Sequence, residues 1–242
     1  MTNTSPRADW LAPAGLIFLC LVPVGAAIWR VAEIAGSPVV TPANARFVND
    51  PLPAMVHIVT ATLFLLLGAF QVSRAVRRRS MTWHRLAGRA TALFGVVGGV
   101  SGVWLTLAYW TITRDGPVLF GMRLVAGSAM AVFIVLGVVY AVRRNLAAHR
   151  AWMVRGYALG IAAGTQFFTH LPWIVLGETP GQLGTTLAMG AGWLINLAFA
   201  EWHLRRPAVR VRAGAARGQE SKTAARSDAR SDARSDPAAA VA

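Results

Sequence analysis

The chain is poor in most of what a soluble enzyme uses for chemistry. Its 242 residues hold one cysteine, Cys20, one lysine, Lys222, three tyrosines and ten carboxylates. A lone cysteine inside an apolar run excludes a disulfide framework and a cysteine-ligated metal centre. The acidic residues, Asp9, Glu33, Asp50, Asp115, Glu178, Glu201 and four near the C-terminus, all fall at or beyond the ends of the long apolar runs. A carboxylate-based proton or cation relay across a membrane has nothing to run on. There is no phosphate-binding glycine loop, no HExxH zinc pair and no GxSxG nucleophile elbow.

What is present is apolar. Hydrophobic residues make up 55% of the chain and charged residues 14%, with a mean hydropathy of +0.48. That composition belongs to membrane proteins. The net charge is +14, almost all of it arginine. In a soluble protein this balance suggests nucleic acid. Here the arginines punctuate apolar runs, so they point to membrane topology and anionic lipid headgroups, and nucleic acid is not an expected partner.

A membrane-spanning helix needs about 20 mostly apolar residues. Six segments qualify, roughly Leu11–Val31, Pro53–Val72, Ala90–Ile112, Pro117–Val142, Trp152–Leu176 and Gln182–Leu204. The expected fold is an all-α, polytopic bundle of six transmembrane helices over residues 1–205. Trp10, Trp29, Trp83, Trp110, Trp152, Trp173 and Trp202 fall near the ends of these runs, as in an interfacial aromatic belt. Arg7 followed by the run from Leu11 has the outline of a signal peptide. The run is longer than the usual 7–15 residues, which favours a retained first helix over cleavage near Ala26–Ala27.

Loop charge sets the orientation. With the N-terminus inside, twenty of the 24 basic residues fall on one face, in Arg7, Arg74–Arg89, Arg143–Arg155 and the segment from Arg205. Only Arg30, Arg46, Arg114 and Arg123 fall on the other. The positive-inside rule then places both termini in the cytoplasm. The connection Ala35–Leu52 reads as an ordered lid or a plain linker. From about Arg206 the sequence changes in kind, with RSDA, RSDA and RSDP across Arg226–Pro237. Alternating charge without large apolar residues cannot offset the entropy of ordering, so residues 206–242 are expected to form a disordered cytoplasmic tail.

Two cassettes, TWHRLAGR at Thr82–Arg89 and AAHRAWMVR at Ala147–Arg155, set a His-Arg pair before a long apolar run. His84 and His149 lie at the cytoplasmic mouths of the third and fifth segments. His57 and His170 lie near the opposite ends of the second and fifth. His203 reads as interfacial. His149 and His170 are 21 residues apart, about 31 Å of helix and nearly the hydrocarbon thickness. His149, Gly156, Gly160 and His170 share roughly one third of the helix circumference. Gly95, Gly98, Gly99 and Gly102 give the third segment a similar small-residue face. Such faces either let helices touch or leave a flat slot for a porphyrin or quinone.

Histidines at both ends of a small-residue face, with partners at matching depth, are what a two-haem transmembrane cytochrome requires. On that reading His57, His84, His149 and His170 ligate haem b iron, and Arg85, Arg89, Arg123, Arg150 and Arg155 hold propionates or lipid phosphates. A quinone or another redox partner would complete the electron path. The alternatives are a structural or lipid-facing role for the histidines, in a scaffold or accessory subunit, and small-solute transport.

HI at His57–Ile58, GAFQ at Gly68–Gln71, HRLAGR at His84–Arg89, HRAWMVRGYAL at His149–Leu159, LPW at Leu171–Trp173 and WLINLAFAEW at Trp193–Trp202 together resemble a bacterial membrane family, domain of unknown function 2306. The resemblance spans about residues 53–206 and implies a polytopic membrane protein without implying an activity. A weaker analogy runs to six-helix b-type cytochromes, whose ligands sit on four different helices. Here the fourth segment has no histidine and the fifth has two.

Overall fold

The structure, a computed structural model, describes residues 6–205 apart from 37, 43, 73 and 111–115. The RSDA repeats lie outside the described residues. The chain divides after Trp202, and residues 203–205 are the described part of the second unit. Eight helices follow in order: α1 (Pro6–Ala35), α2 (Ala45–Asn49), α3 (Pro51–Gln71), α4 (Arg74–Arg79), α5 (Met81–Ala108), α6 (Gly116–Val142), α7 (Leu146–Leu176) and α8 (Gln182–Arg205). There are no strands among the described residues. Six helices, all but the short α2 and α4, are long and apolar enough to cross a membrane.

The apolar runs locate these six helices but misplace two of their starts. Both His-Arg cassettes lie within the first turns of α5 and α7, not before them. The reason is local. Ser80 caps α5 by accepting from the Trp83 N–H at 3.1 Å, and Asn145 caps α7 by accepting from the Ala148 N–H at 3.1 Å. Arginine is itself a good helix former, so a hydropathy window ends before the helix does. At 31 residues α7 is about 46 Å long, more than the hydrocarbon core. Its first turn therefore extends into the interface.

Between α6 and α7 the chain reverses within Arg143–Asn145, with Arg144 in the left-handed region at φ 58° and the Asn145 N–H donating to the Tyr140 carbonyl at 2.9 Å. Gly177 ends α7 at φ 69°, where glycine carries no Cβ penalty, and the Glu178 N–H donates to the Trp173 carbonyl at 3.0 Å.

Helices α3, α5, α6 and α7 pack in succession, α3 also meets α7, and α1 lies against both α3 and α7. The glycine faces decide how. Phe64 of α3 fills the space beside Gly95 of α5 and Gly160 of α7, and Ile134 of α6 fills that beside Gly95 and Gly156. Gly99 and Gly127 let the α5 and α6 backbones approach directly. Gly164 does the same for α1 at Leu19, and Gly68 seats the Tyr157 ring. Tyr157 donates to the Leu65 carbonyl at 2.8 Å and hydrogen-bonds the Cys20 thiol of α1, joining three helices. Of the two readings of the glycine faces, helix contact is the one observed. The slot between α5 and α7 is filled by side chains.

The described residues of the connection Ala35–Leu52 are held by contacts around Asn44. Asn44, 6% exposed, donates to the Glu33 carboxylate and to the Val39 carbonyl, both at 3.1 Å. Glu33 also pairs with Arg30. The guanidinium carbons of Arg30 and Arg46 lie 4.1 and 4.6 Å from the centre of the Phe47 ring, which meets Tyr109 edge-on at 5.7 Å. Tyr109 donates to the Asp50 carbonyl at 2.7 Å, tying this connection to the end of α5.

Candidate functional site at the basic mouth

The C-terminal end of α3 and the arginine-bearing starts of α5 and α7 form one mouth. The His149 ring of α7 is held by its neighbour α6: Nδ1–H donates to the Gly137 carbonyl at 2.8 Å. A carbonyl only accepts, so Nδ1 carries a hydrogen, and Nε2 is the ring nitrogen left to face another partner. On α5, His84 has His149 among its electrostatic neighbours, together with Arg77 and Arg85. Its Nδ1 is buried and has no hydrogen-bond partner.

One turn further along α5, Gly88 faces the Gln71 amide at the end of α3. The Gln71 Nε2 is likewise buried without a partner. Leaving a buried polar group unpaired costs about 1–3 kcal/mol. Two such groups at one mouth, with a second ring, that of His149, held by a carbonyl, form an arrangement whose hydrogen bonds are incomplete.

The two histidines expected at the other ends are not brought together. His57 on α3 turns to α5, its Nδ1 3.1 Å from the Gly98 carbonyl and 3.2 Å from the Ser101 hydroxyl. His170 donates from Nδ1 to the Gln166 carbonyl of its own helix at 2.6 Å and lies 6.4 Å from the Trp173 ring. No hydrogen bond or ring contact joins His57 to His170 among the described residues, and no group of three or more His, Cys, Asp and Glu that could hold a metal occurs among them either.

The arginines divide. Arg85, Arg89 and Arg150 are exposed at the basic mouth. Arg155 is committed to Glu201 of α8 through two hydrogen bonds, at 2.5 and 3.1 Å, and lies 5.1 Å from the Trp152 ring centre. Arg123 reaches α8, where its Nη2 lies 3.5 Å from the Met189 thioether.

Sequence reading missed a polar seam between α7 and α8. Thr165 donates to Asn196 at 3.0 Å, Gln166 to the Met189 carbonyl at 3.1 Å and Thr169 to the Ala188 carbonyl at 2.7 Å. Gln71 stands in the GAFQ stretch quoted for the resemblance but not among the expected site residues, although a glutamine closing an apolar run one residue after an aromatic is a visible signal.

These features define a multi-pass helical membrane protein with a polar mouth at its basic face. The chain belongs to the family described as Predicted membrane protein (DUF2306), which matches residues 54–204. The match begins in α3 and takes in Gln71, His84 and His149 together. No curated protein and no solved structure matches the chain.

Proposed function

We propose that the basic mouth binds the carbonyl-bearing head of a membrane quinone, and that the protein is a quinone-linked electron-transfer component of a bacterial inner membrane with this mouth in the cytoplasm. The observation that carries the reading is the pair of buried, unpartnered nitrogens, Gln71 Nε2 and His84 Nδ1, beside the oriented ring of His149. The Gln71 amide donates, and His84 Nδ1 donates in the tautomer that carries its hydrogen there; two such donors at a membrane interface suit a flat head with two acceptor oxygens and an apolar tail. Arg77 and Arg85 would favour negative charge on the head, and His149 Nε2 is positioned to take up or return a proton. A quinone, when bound, supplies the two-electron chemistry that these side chains lack.

Haem is the second reading, and a specific feature favours it: an imidazole whose Nδ1–H is held by a carbonyl is the form that presents Nε2 to iron. His84 and His149 would be its ligands. Against it stand Phe64 and Ile134, which occupy the glycine faces where a porphyrin would lie.

The test is a titration of detergent-purified protein with a short-tailed ubiquinone, followed by tryptophan fluorescence, with an optical spectrum before and after dithionite. The expected result is saturable binding that weakens about tenfold in Gln71→Ala and in His84→Ala, the loss of one hydrogen bond to a buried group. Unsaturable, mutation-insensitive quenching would remove the quinone reading. The absence of a Soret band after expression with ample haem would remove the haem reading. Loss of both, with partner capture unaffected by His84→Ala and His149→Ala, would leave the scaffold.

A further inference from the structure

We infer that the α6–α8 side of the bundle is a binding site for an anionic phospholipid, with its phosphate at Arg123 and an acyl chain laid along α6. An apolar groove of about 440 Å³ runs along this side. Gly121, Val125, Ala129 and Phe133 line it from α6 at successive one-turn spacing, and Gly190 and Trp193 line it from α8. From Gly121 to Phe133 is about 18 Å of helix, which makes it a channel for a chain and not a pocket for a compact molecule. Val125 is 70% exposed and Leu194 69%, so the groove opens onto the outer surface of the bundle, where lipid tails lie.

Charge identifies the occupant. Arg123 is partly buried and follows Met122, itself a lining residue. Its guanidinium reaches Met189, the residue before Gly190, so a cation stands at one end of the groove. It lies seven residues into α6, about 10 Å of helix from the start of α6 and far from the basic mouth at the other end. A guanidinium has five donors in a planar fork that matches phosphate oxygens. In low-dielectric surroundings its attraction for an anion is strengthened, and a zwitterionic headgroup would bring its own cation against Arg123. A phosphate with no attached positive charge, followed by an acyl chain, satisfies both ends of the groove.

The test measures lipid retention by native mass spectrometry after delipidation. Phosphatidylglycerol, phosphatidylcholine and inorganic phosphate are added separately to wild type, Arg123→Gln, Arg123→Lys and Gly121→Leu. A Cβ at Gly121 meets nothing within 4 Å, so leucine fills the groove without a clash. The expected result is phosphatidylglycerol held about tenfold more tightly than phosphatidylcholine by wild type and by Arg123→Lys. Arg123→Gln should lose the preference while keeping phosphatidylcholine binding, and Gly121→Leu should lose both lipids. Inorganic phosphate should not displace the lipid. Equal retention of the two lipids by wild type, or displacement by phosphate, overturns the proposal. Unchanged retention in Gly121→Leu overturns it even where Arg123→Gln does not fold.

Discussion

Arg155 and Glu201 show what one pair of residues does for a bundle in lipid. Their side chains are 26% and 31% exposed, and both guanidinium contacts go to the same carboxylate. Two-point geometry makes the pair stronger than an ordinary surface ion pair, while partial exposure screens it. Arg155→Ala should destabilise the protein by about 1 kcal/mol, and Glu201→Gln by a similar amount. A double-mutant cycle on thermal unfolding in detergent should return a coupling of the same size. Additive losses would mean that the contact contributes nothing. Both residues stand in stretches quoted for the family resemblance, but no spacing rule connects positions 46 residues apart.

Tyr109 supplies the pH dependence at this scale. Burial pushes its phenol above the ordinary value, and the nearby Asp50 carboxylate pushes the same way, against smaller opposite effects from a backbone hydrogen bond and Arg46. The folded state therefore keeps this proton to higher pH than the unfolded state does. The associated stability is fully present below about pH 10, where the unfolded phenol titrates, and is lost as pH rises through the elevated folded value. Melting temperature measured from pH 9 upward should fall more steeply for wild type than for Tyr109→Phe. Parallel curves would show that the phenol is not coupled to folding.

At the level of helices, the glycine faces carry most of the specificity. Lipid tails are as apolar as leucine, so burial from water does not drive these helices together; close contact and hydrogen bonds do. A Cβ on Gly95 would lie 2.5 Å from Ile134 Cδ1 and 2.6 Å from the Phe64 ring. Gly95→Ala should cost about 1–3 kcal/mol by overpacking, and Phe64→Leu in the same chain should restore part of it. Unfolding in mixed micelles measures both. A gain in stability from Gly95→Ala alone would contradict the packing described. The glycine spacing was readable in the sequence as a small-residue face. Its filler was not, because Phe64 and Ile134 sit on other helices and nothing local marks them as the complement. Helix starts were misread for the opposite reason: caps at Ser80 and Asn145 are local, but hydropathy outweighed them. The connection Ala35–Leu52, readable as an ordered lid or a plain linker, is held by Asn44 meeting Glu33 and Val39, contacts of 11 and 5 residues' separation.

For the molecule as a whole, the apolar exterior and the one-sided charge belong together. Leu93, Val125 and Leu194 are 61%, 70% and 69% exposed, a surface that suits lipid and not water. With the N-terminus inside, the expected topology puts twenty of the 24 basic residues on one face. The expected orientation has that face in the cytoplasm. Cys20 is buried and is the chain's one cysteine, so single cysteines can be introduced against a silent background. Maleimide reagents that do not cross the membrane should label a cysteine at Pro38 in intact cells and one at Arg144 only after permeabilisation. The reverse pattern would invert the topology and remove the cytoplasmic assignment of the mouth.

Length and hydropathy alone determined that this chain crosses a membrane six times, because the cost of unpaired backbone in lipid leaves helices as the spanning form for such runs. Alternation of the spans groups the loops by face, and loop charge gives the expected side of each. The four histidines were visible too, and so were their depths, since depth is only a count of residues from a helix end. Which of them meet was decided by tertiary structure. His57 turned to the Gly98 carbonyl and His170 to that of Gln166, while His84, His149 and Gln71 gathered at one mouth. Rotation of each helix about its axis is fixed by packing against its neighbours, through residues such as Phe64 and Tyr157, and that information is spread over the whole bundle.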